Sequence, residues 1–177
     1  MPRFVALLRA VNVGARSLPM TELRALCAEL GWREVRTYIQ SGNVVFEAEG
    51  AQADLESALE QAIQQRFGYW SDVMVRSGEA WQALLATNPL PDVGQAEPNR
   101  VLVGIAKRPV LPGAAETIAA RAMAGERVLL AGGALWFHYP AGVGTSKLTP
   151  ALIDRAAGSP VTARNWRTML ALAEMLS

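Results

Sequence analysis

The chain has 177 residues, 51% of them hydrophobic and 19% charged, with a formal net charge of +1. That is apolar material for one large core or two small ones, and it leaves no default for a strongly basic surface stripe. One cysteine, Cys27, and one histidine, His138, exclude an intrachain disulfide and a Cys/His zinc centre, so no metal site is expected.

In chain order, RFVALLRAV (3–11) is a continuous apolar run bounded by arginines, as a strand buried on both faces would be. Ser17 and Pro19 are start signals for a helix in which Leu23, Leu26, Cys27 and Leu30 share one face, and Gly31 is its stop. VRTYIQSGNVVFEAE reads as two strands joined at Ser41-Gly42. An amphipathic helix follows on Leu55, Leu59 and Ile63, and then a short strand, SDVMVR. The stretch after a further helical segment is rich in Pro, Gly and Asn and reads as a linker.

The order then restarts. RVLVGIAKR (100–108) repeats the pattern of the first strand, and GAAETIAARAM is a helix. ERVLLAGGALWFHY is a hairpin turning at Gly132-Gly133. TPALIDRAAG is a helix with Thr149 as N-cap and Pro150 at its first position. A short strand, PVTARN, and a closing helix, WRTMLALAEML, complete the chain. The expected fold is α+β: two ferredoxin-like (β-α-β-β-α-β) units with mostly antiparallel sheets and helices on one face. The first unit spans residues 1–87, a linker 88–99, and the second unit with its C-terminal helix 100–177. The strands are apolar on both faces, so the face without helices needs a cover: the other sheet, the extra helices or a second copy of the chain. The N-terminal run lacks a small-residue cleavage pattern, and no stretch reaches the roughly 20 apolar residues of a membrane span, so a soluble, cytoplasmic protein is expected.

This topology gathers polar residues at two places. The end of the first strand and the first hairpin tip share one sheet edge, which brings Arg9, Asn12 and Gly14 beside Gln40, Ser41, Gly42 and Asn43. In the second unit HYPAGVGTSKL and TARNW converge at the opposite edge. There His138, Gly142, Gly144, Ser146, Lys147, Arg164 and Asn165 would supply a point charge, a guanidinium fork, hydroxyls and amide donors beside a helix start. That donor set suits a phosphate-bearing small molecule. It differs from the phosphate loop G-x-x-x-x-G-K-[ST], because here Ser precedes Lys; a glycine-rich corner whose Ser and Thr merely cap the helix is the plainer alternative.

LRAVNVG, MTELRALCAELG, VRTYIQSGNVVF, HYPAGVGTSKL and TARNW resemble signature stretches of the bacterial family named domain of unknown function 1697. The resemblance runs from Phe4 to Leu176. It implies duplicated ferredoxin-like α+β units and brings no activity, cofactor or catalytic residue with it. Arg9, Asn12, Gly14, Ser41, Gly42, Asn43, Ser146, Lys147, Arg164, Asn165 and Trp166 match the motifs. Ala15 departs from them, standing where such sequences often carry a second glycine.

No catalytic constellation emerges. Cys27 lies on an apolar helix face and reads as an inert core thiol. His138 has no carboxylate near it in sequence and reads as a structural or ligand-contact residue. Nucleic-acid binding is the rival function. GNVVFEAE lacks the aromatics and basic residue of an RNA-recognition motif, so this mode would use the loop edge of Arg9, Asn12, Ser41 and Asn43, with Arg16 and Arg36. A protein-interaction module anchored by tryptophans is the third option.

Overall fold

The computed structural model describes residues 1–177. It is an α+β structure with two four-stranded antiparallel sheets and seven helices. The chain divides into two compact units, one of Met1–Trp81 with Leu172–Ser177, the other of Gln82–Ala171. No helix is long and apolar enough to cross a membrane.

The first unit runs β1 (Arg3–Leu8), α1 (Met20–Glu29), β2 (Arg33–Thr37), β3 (Asn43–Glu47), α2 (Gln52–Phe67) and β4 (Val73–Ser77). Its strand order is β2-β3-β1-β4, so β3 lies between the two strands that precede it in sequence. Residues paired across strands share a face. Phe4, Ala6, Leu8, Val44, Phe46, Val73 and Val75 therefore form one apolar surface, covered by Leu23, Leu26 and Cys27 of α1 and by Leu55, Leu59 and Ile63 of α2. Trp32 stacks on Phe46 with ring centroids 3.9 Å apart. Each such large side chain contributes roughly 1.5–3 kcal/mol by leaving water.

The opposite face is buried as well: Val5, Leu7, Val45 and Met74 are all 2% exposed or less. The last residues of the chain return to this unit, where Arg3 donates to the Ser177 carbonyl at 2.7 Å and Arg36 to that of Met175 at 2.6 Å.

The sequence reading runs the first strand on to Val11, but β1 ends at Leu8 because Ala10 and Asn12 both take φ of 56° and turn the chain away. The first helix starts at Met20 rather than at Ser17; Pro19 precedes it in an extended conformation and no side chain caps it.

β4 is an edge strand whose outward amides are answered by acids. The Val73 N–H donates to Glu60 at 3.0 Å and the Val75 N–H to Glu56 at 2.9 Å, from one face of α2. Both glutamates are only 5% exposed. They occupy the donors that an added strand would need. Glu60→Ala is expected to leave a buried amide unpaired and to lower stability by about 1–3 kcal/mol, read by chemical denaturation.

Cys27 is fully buried, and burial pushes its thiol up to about 12. The native protein is expected to resist alkylation at neutral pH and to react fully once unfolded, which iodoacetamide labelling with mass analysis would read.

The helix α3 (Gly78–Ala86) and the closing helix α7 (Trp166–Leu176) are divided between the units. The second unit contains α4 (Pro91–Ala96), β5 (Val101–Ala106), α5 (Ala114–Ala119), β6 (Arg127–Ala131), β7 (Ala134–His138), α6 (Pro150–Ala157) and β8 (Val161–Asn165). Its strand order, β6-β7-β5-β8, repeats that of the first sheet position for position. Leu135, Phe137 and Val161 face α5 and α6, together with Leu148. Val103, Trp136 and Arg164 are paired on the other face. Asp154 of α6 accepts the Val161 N–H at 3.1 Å on the edge strand β8, the counterpart of the two glutamates above.

Candidate functional site

The end of the first sheet is built around a single asparagine. Asn12 donates through Nδ2 to Gln40 O at 2.6 Å and to Leu18 O at 3.0 Å, and its Oδ1 accepts the Leu18 N–H at 2.8 Å. It thereby ties the loop after β1 to the β2–β3 turn and to the entry of α1. Asparagine tolerates its left-handed backbone better than most residues. Leu8 N–H continues the tie by donating to Gly42 O at 2.8 Å. Within the turn, Asn43 is fully buried and donates to Tyr38 O and to Ser41 Oγ, each at 2.9 Å.

The opposite side of this loop meets the segment before β4. Arg9 N–H donates to Asp72 O at 3.0 Å, and Ser71 Oγ donates to Arg9 O at 2.7 Å. Arg16 closes the loop: its Nε donates to Ala10 O at 2.6 Å, its second terminal nitrogen donates to Trp70 O, and its guanidinium lies 4.5 Å from the centre of the Tyr69 ring. Burial raises the Tyr69 phenol against the opposing pull of Arg16, which keeps it a donor, to Ser17 O at 3.2 Å. Trp70 is 43% exposed, and its orientation is set by Nε1 donating to Asp72 Oδ1 at 3.1 Å. The Arg9 guanidinium sits 4.0 Å from the same carboxylate.

Arg9, Ala10, Arg16, Trp70 and Asp72 line an open hollow of about 270 Å³. The backbone is strained in both loops at this end of the sheet. Ala10 and Asn12 take positive φ, and in the β2–β3 turn Ile39, β-branched and 51% exposed, takes φ of 49°. Strain of this kind concentrates at functional sites. The amides of Val13, Gly14 and Ala15 face solvent with no protein acceptor. A fixed indole and two guanidinium groups thus line one hollow, with one carboxylate among them.

The residues expected at the other end, in the second unit, are not assembled into one cationic site. Arg164 is 7% exposed, lies on the sheet face away from Leu148, α5 and α6, and donates to Thr162 Oγ1 at 2.8 Å and Ala163 O at 3.0 Å. Burial pulls its guanidinium down to about 10, still well above neutrality. Asn165 caps α7, its Oδ1 accepting the Thr168 N–H at 2.9 Å.

Ser146 donates to Glu126 at 2.6 Å and accepts the Leu148 N–H at 3.1 Å, so the hydroxyl expected for a phosphate already serves a carboxylate. That bond is the chief reason the Glu126 carboxyl is held below the usual carboxylate range. Lys147 is exposed, Gly142 closes a turn onto Tyr139 O at 2.9 Å, and Gly144 is open to solvent. His138 does meet a carboxylate, Glu97 at 3.3 Å, from 41 residues away. Thr149 caps α6 through the Leu152 N–H at 3.2 Å.

Tyr69 and Asp72 escaped sequence reasoning. Their signal was topological: β4 pairs with β1 from Leu8↔Val73, so the residues before Val73 must lie beside Arg9. Nowhere are three His, Cys, Asp or Glu side chains gathered as for a metal ion.

The family model described as "Protein of unknown function (DUF1697)" matches residues 1–136. The chain therefore belongs to that family. The solved structure of the conserved bacterial protein SP0830 from Streptococcus pneumoniae is similar over 99% of each chain, with a TM-score of 0.73 and 20% identity. At that identity the likeness speaks for the fold alone. No curated protein sequence matches this chain.

Proposed function

We infer that this DUF1697 member binds single-stranded nucleic acid at the loop end of its first sheet. The observation that carries the reading is the Trp70 indole, exposed and held in place by Asp72, beside Arg9 and Arg16 in one open hollow. An immobilised aromatic face stacks any base and contributes about 1–3 kcal/mol per base. Arginine and backbone amides take the phosphate without reading sequence. A hollow of about 270 Å³ accommodates one nucleotide unit.

Each half of the chain reads as a ferredoxin-like unit; the β-α-β-β-α-β succession and the repeated strand order support this. RNA-binding domains of that architecture commonly use the open sheet face. Here the residues of that face in the first unit are buried, which leaves the loop edge as the surface available. The reading places the chain in the cytoplasm, where single-stranded RNA is present. A phosphate-bearing ligand at residues 142–147 is the weaker reading, because Glu126 already holds Ser146 and Arg164 is inaccessible.

The test is fluorescence anisotropy of labelled 12-nucleotide single-stranded RNA and DNA across a salt series. With about two phosphates neutralised, the logarithm of affinity is expected to fall with the logarithm of salt at a slope of about −1.4. Equal affinity for a mononucleotide, preference for duplex, or an affinity indifferent to salt would count against the reading.

A further inference from the structure

The geometry points to a second ligand site, wholly within the second unit, that takes a planar aromatic carboxylate. The start of α7 and the segment carrying α4 line an open pocket of about 410 Å³, a volume typical of small-molecule sites. Trp166 is its floor, braced from behind by Trp136 at 5.6 Å between ring centroids and tied to Pro98 O by its backbone amide at 3.1 Å. Pro91, Pro98 and Leu170, the last 47% exposed, form apolar walls.

Gly94 lets the α4 backbone pack directly against Trp166 at the lining of the pocket. A Cβ there would stand 3.3 Å from Trp166 Cδ1 and 3.4 Å from both Trp166 Nε1 and Asn88 Nδ2. Those two nitrogens therefore lie against Gly94, on residues that line the pocket. The Asn88 amide is fixed in orientation because its Oδ1 accepts the Leu90 N–H at 2.7 Å, so Nδ2 is the atom turned inward. Neither Nδ2 nor the Trp166 indole N–H has an acceptor in the protein. Arg167 is steadied by Nε donating to Asn99 Oδ1 at 3.1 Å, and its terminal nitrogens stay available.

The chemistry of this lining is one-sided. It offers an indole N–H, an amide N–H and a guanidinium, and no carboxylate lines it. Such a site has little to offer a cation or a donor-rich sugar. A single arginine fork matches one carboxylate in charge and shape. The aromatic floor and proline walls match a flat apolar body. A benzoate- or indole-carboxylate-like molecule satisfies both halves of the pocket.

The experiment titrates the ¹⁵N-labelled full chain with indole-3-carboxylate and, separately, with neutral indole, following the tryptophan indole N–H resonances. One indole resonance is expected to shift, with half-saturation below about 1 mM. Indole should bind about tenfold more weakly, since it cannot use the guanidinium. Arg167→Gln is a surface change that should erase the difference between the two probes. Gly94→Val should abolish binding of both. The absence of any indole shift, equal binding of the two probes to wild type, or a preference unchanged in Arg167→Gln would overturn the assignment. Because neither variant touches the loop of residues 9–16, nucleic-acid binding should persist in Arg167→Gln, which separates the fate of this site from that of the first.

Discussion

Gly42→Ala is expected to cost about 2–5 kcal/mol of stability and to lower the melting temperature by several degrees or more. Two effects add. Gly42 has φ of 85°, where any other L-residue is strained by roughly 1–2 kcal/mol. An added Cβ would also lie 2.7 Å from Val11 Cγ2 and 2.8 Å from Leu8 Cβ. Neither atom is the free end of a long side chain, since both Val11 and Leu8 are buried, so the clash adds about 1–3 kcal/mol. Gly14→Ala is the control: φ is 56° but nothing stands within 4 Å of its Cβ position, so only the strain applies. Thermal and urea unfolding of the two variants would read the difference. Gly42→Ala should also loosen the Leu8–Gly42 bond that holds the β2–β3 turn against the loop, and so weaken ligand binding more than Gly14→Ala does.

Trp70→Ala is expected to weaken binding of single-stranded oligonucleotide by roughly five- to a hundredfold, the effect of losing one stacked base. Because Trp70 is exposed, little stability should be lost with it. Arg9→Ala should act differently. It removes one phosphate contact, so affinity should fall and the salt slope should shrink by about 0.7. It also leaves Asp72 without its guanidinium neighbour, which adds repulsion. Trp70→Ala should leave the salt slope unchanged. The pair of variants thus separates stacking from charge in one anisotropy series.

The sequence made the architecture legible through its apolar runs. RFVALLRAV and RVLVGIAKR are both central strands, and the two hairpins fall where Ser41-Gly42 and Gly132-Gly133 stand. The bond of Asn12 to the first hairpin tip is in keeping with the topology, whereas Arg9 is tied to Ser71 and Asp72 on the other side of the loop. What those residues do there was hidden. Asn12 and Asn43 spend their amides on backbone carbonyls, which spacing cannot reveal, and so they position the loop while Arg9, Arg16 and Trp70 line the hollow beside it.

The arrangement of the second cluster was hidden for a different reason. Strand parity sets Arg164 opposite Val161, but a strand buried on both faces gives no sign of which face reaches water. Nor does sequence disclose that Glu126 would claim Ser146 from 20 residues away. Asn165 was readable: an asparagine directly before the helical run WRTMLALAEML is a cap by preference.

The most direct measurement is photo-crosslinking of the full chain to a single-stranded RNA carrying 4-thiouridine, with the adducts located by mass spectrometry. The account predicts adducts in residues 9–16 and 69–72, with Trp70 foremost, and their loss in Trp70→Ala. Adducts concentrated in residues 138–148, or none above the level of a duplex control, would contradict it.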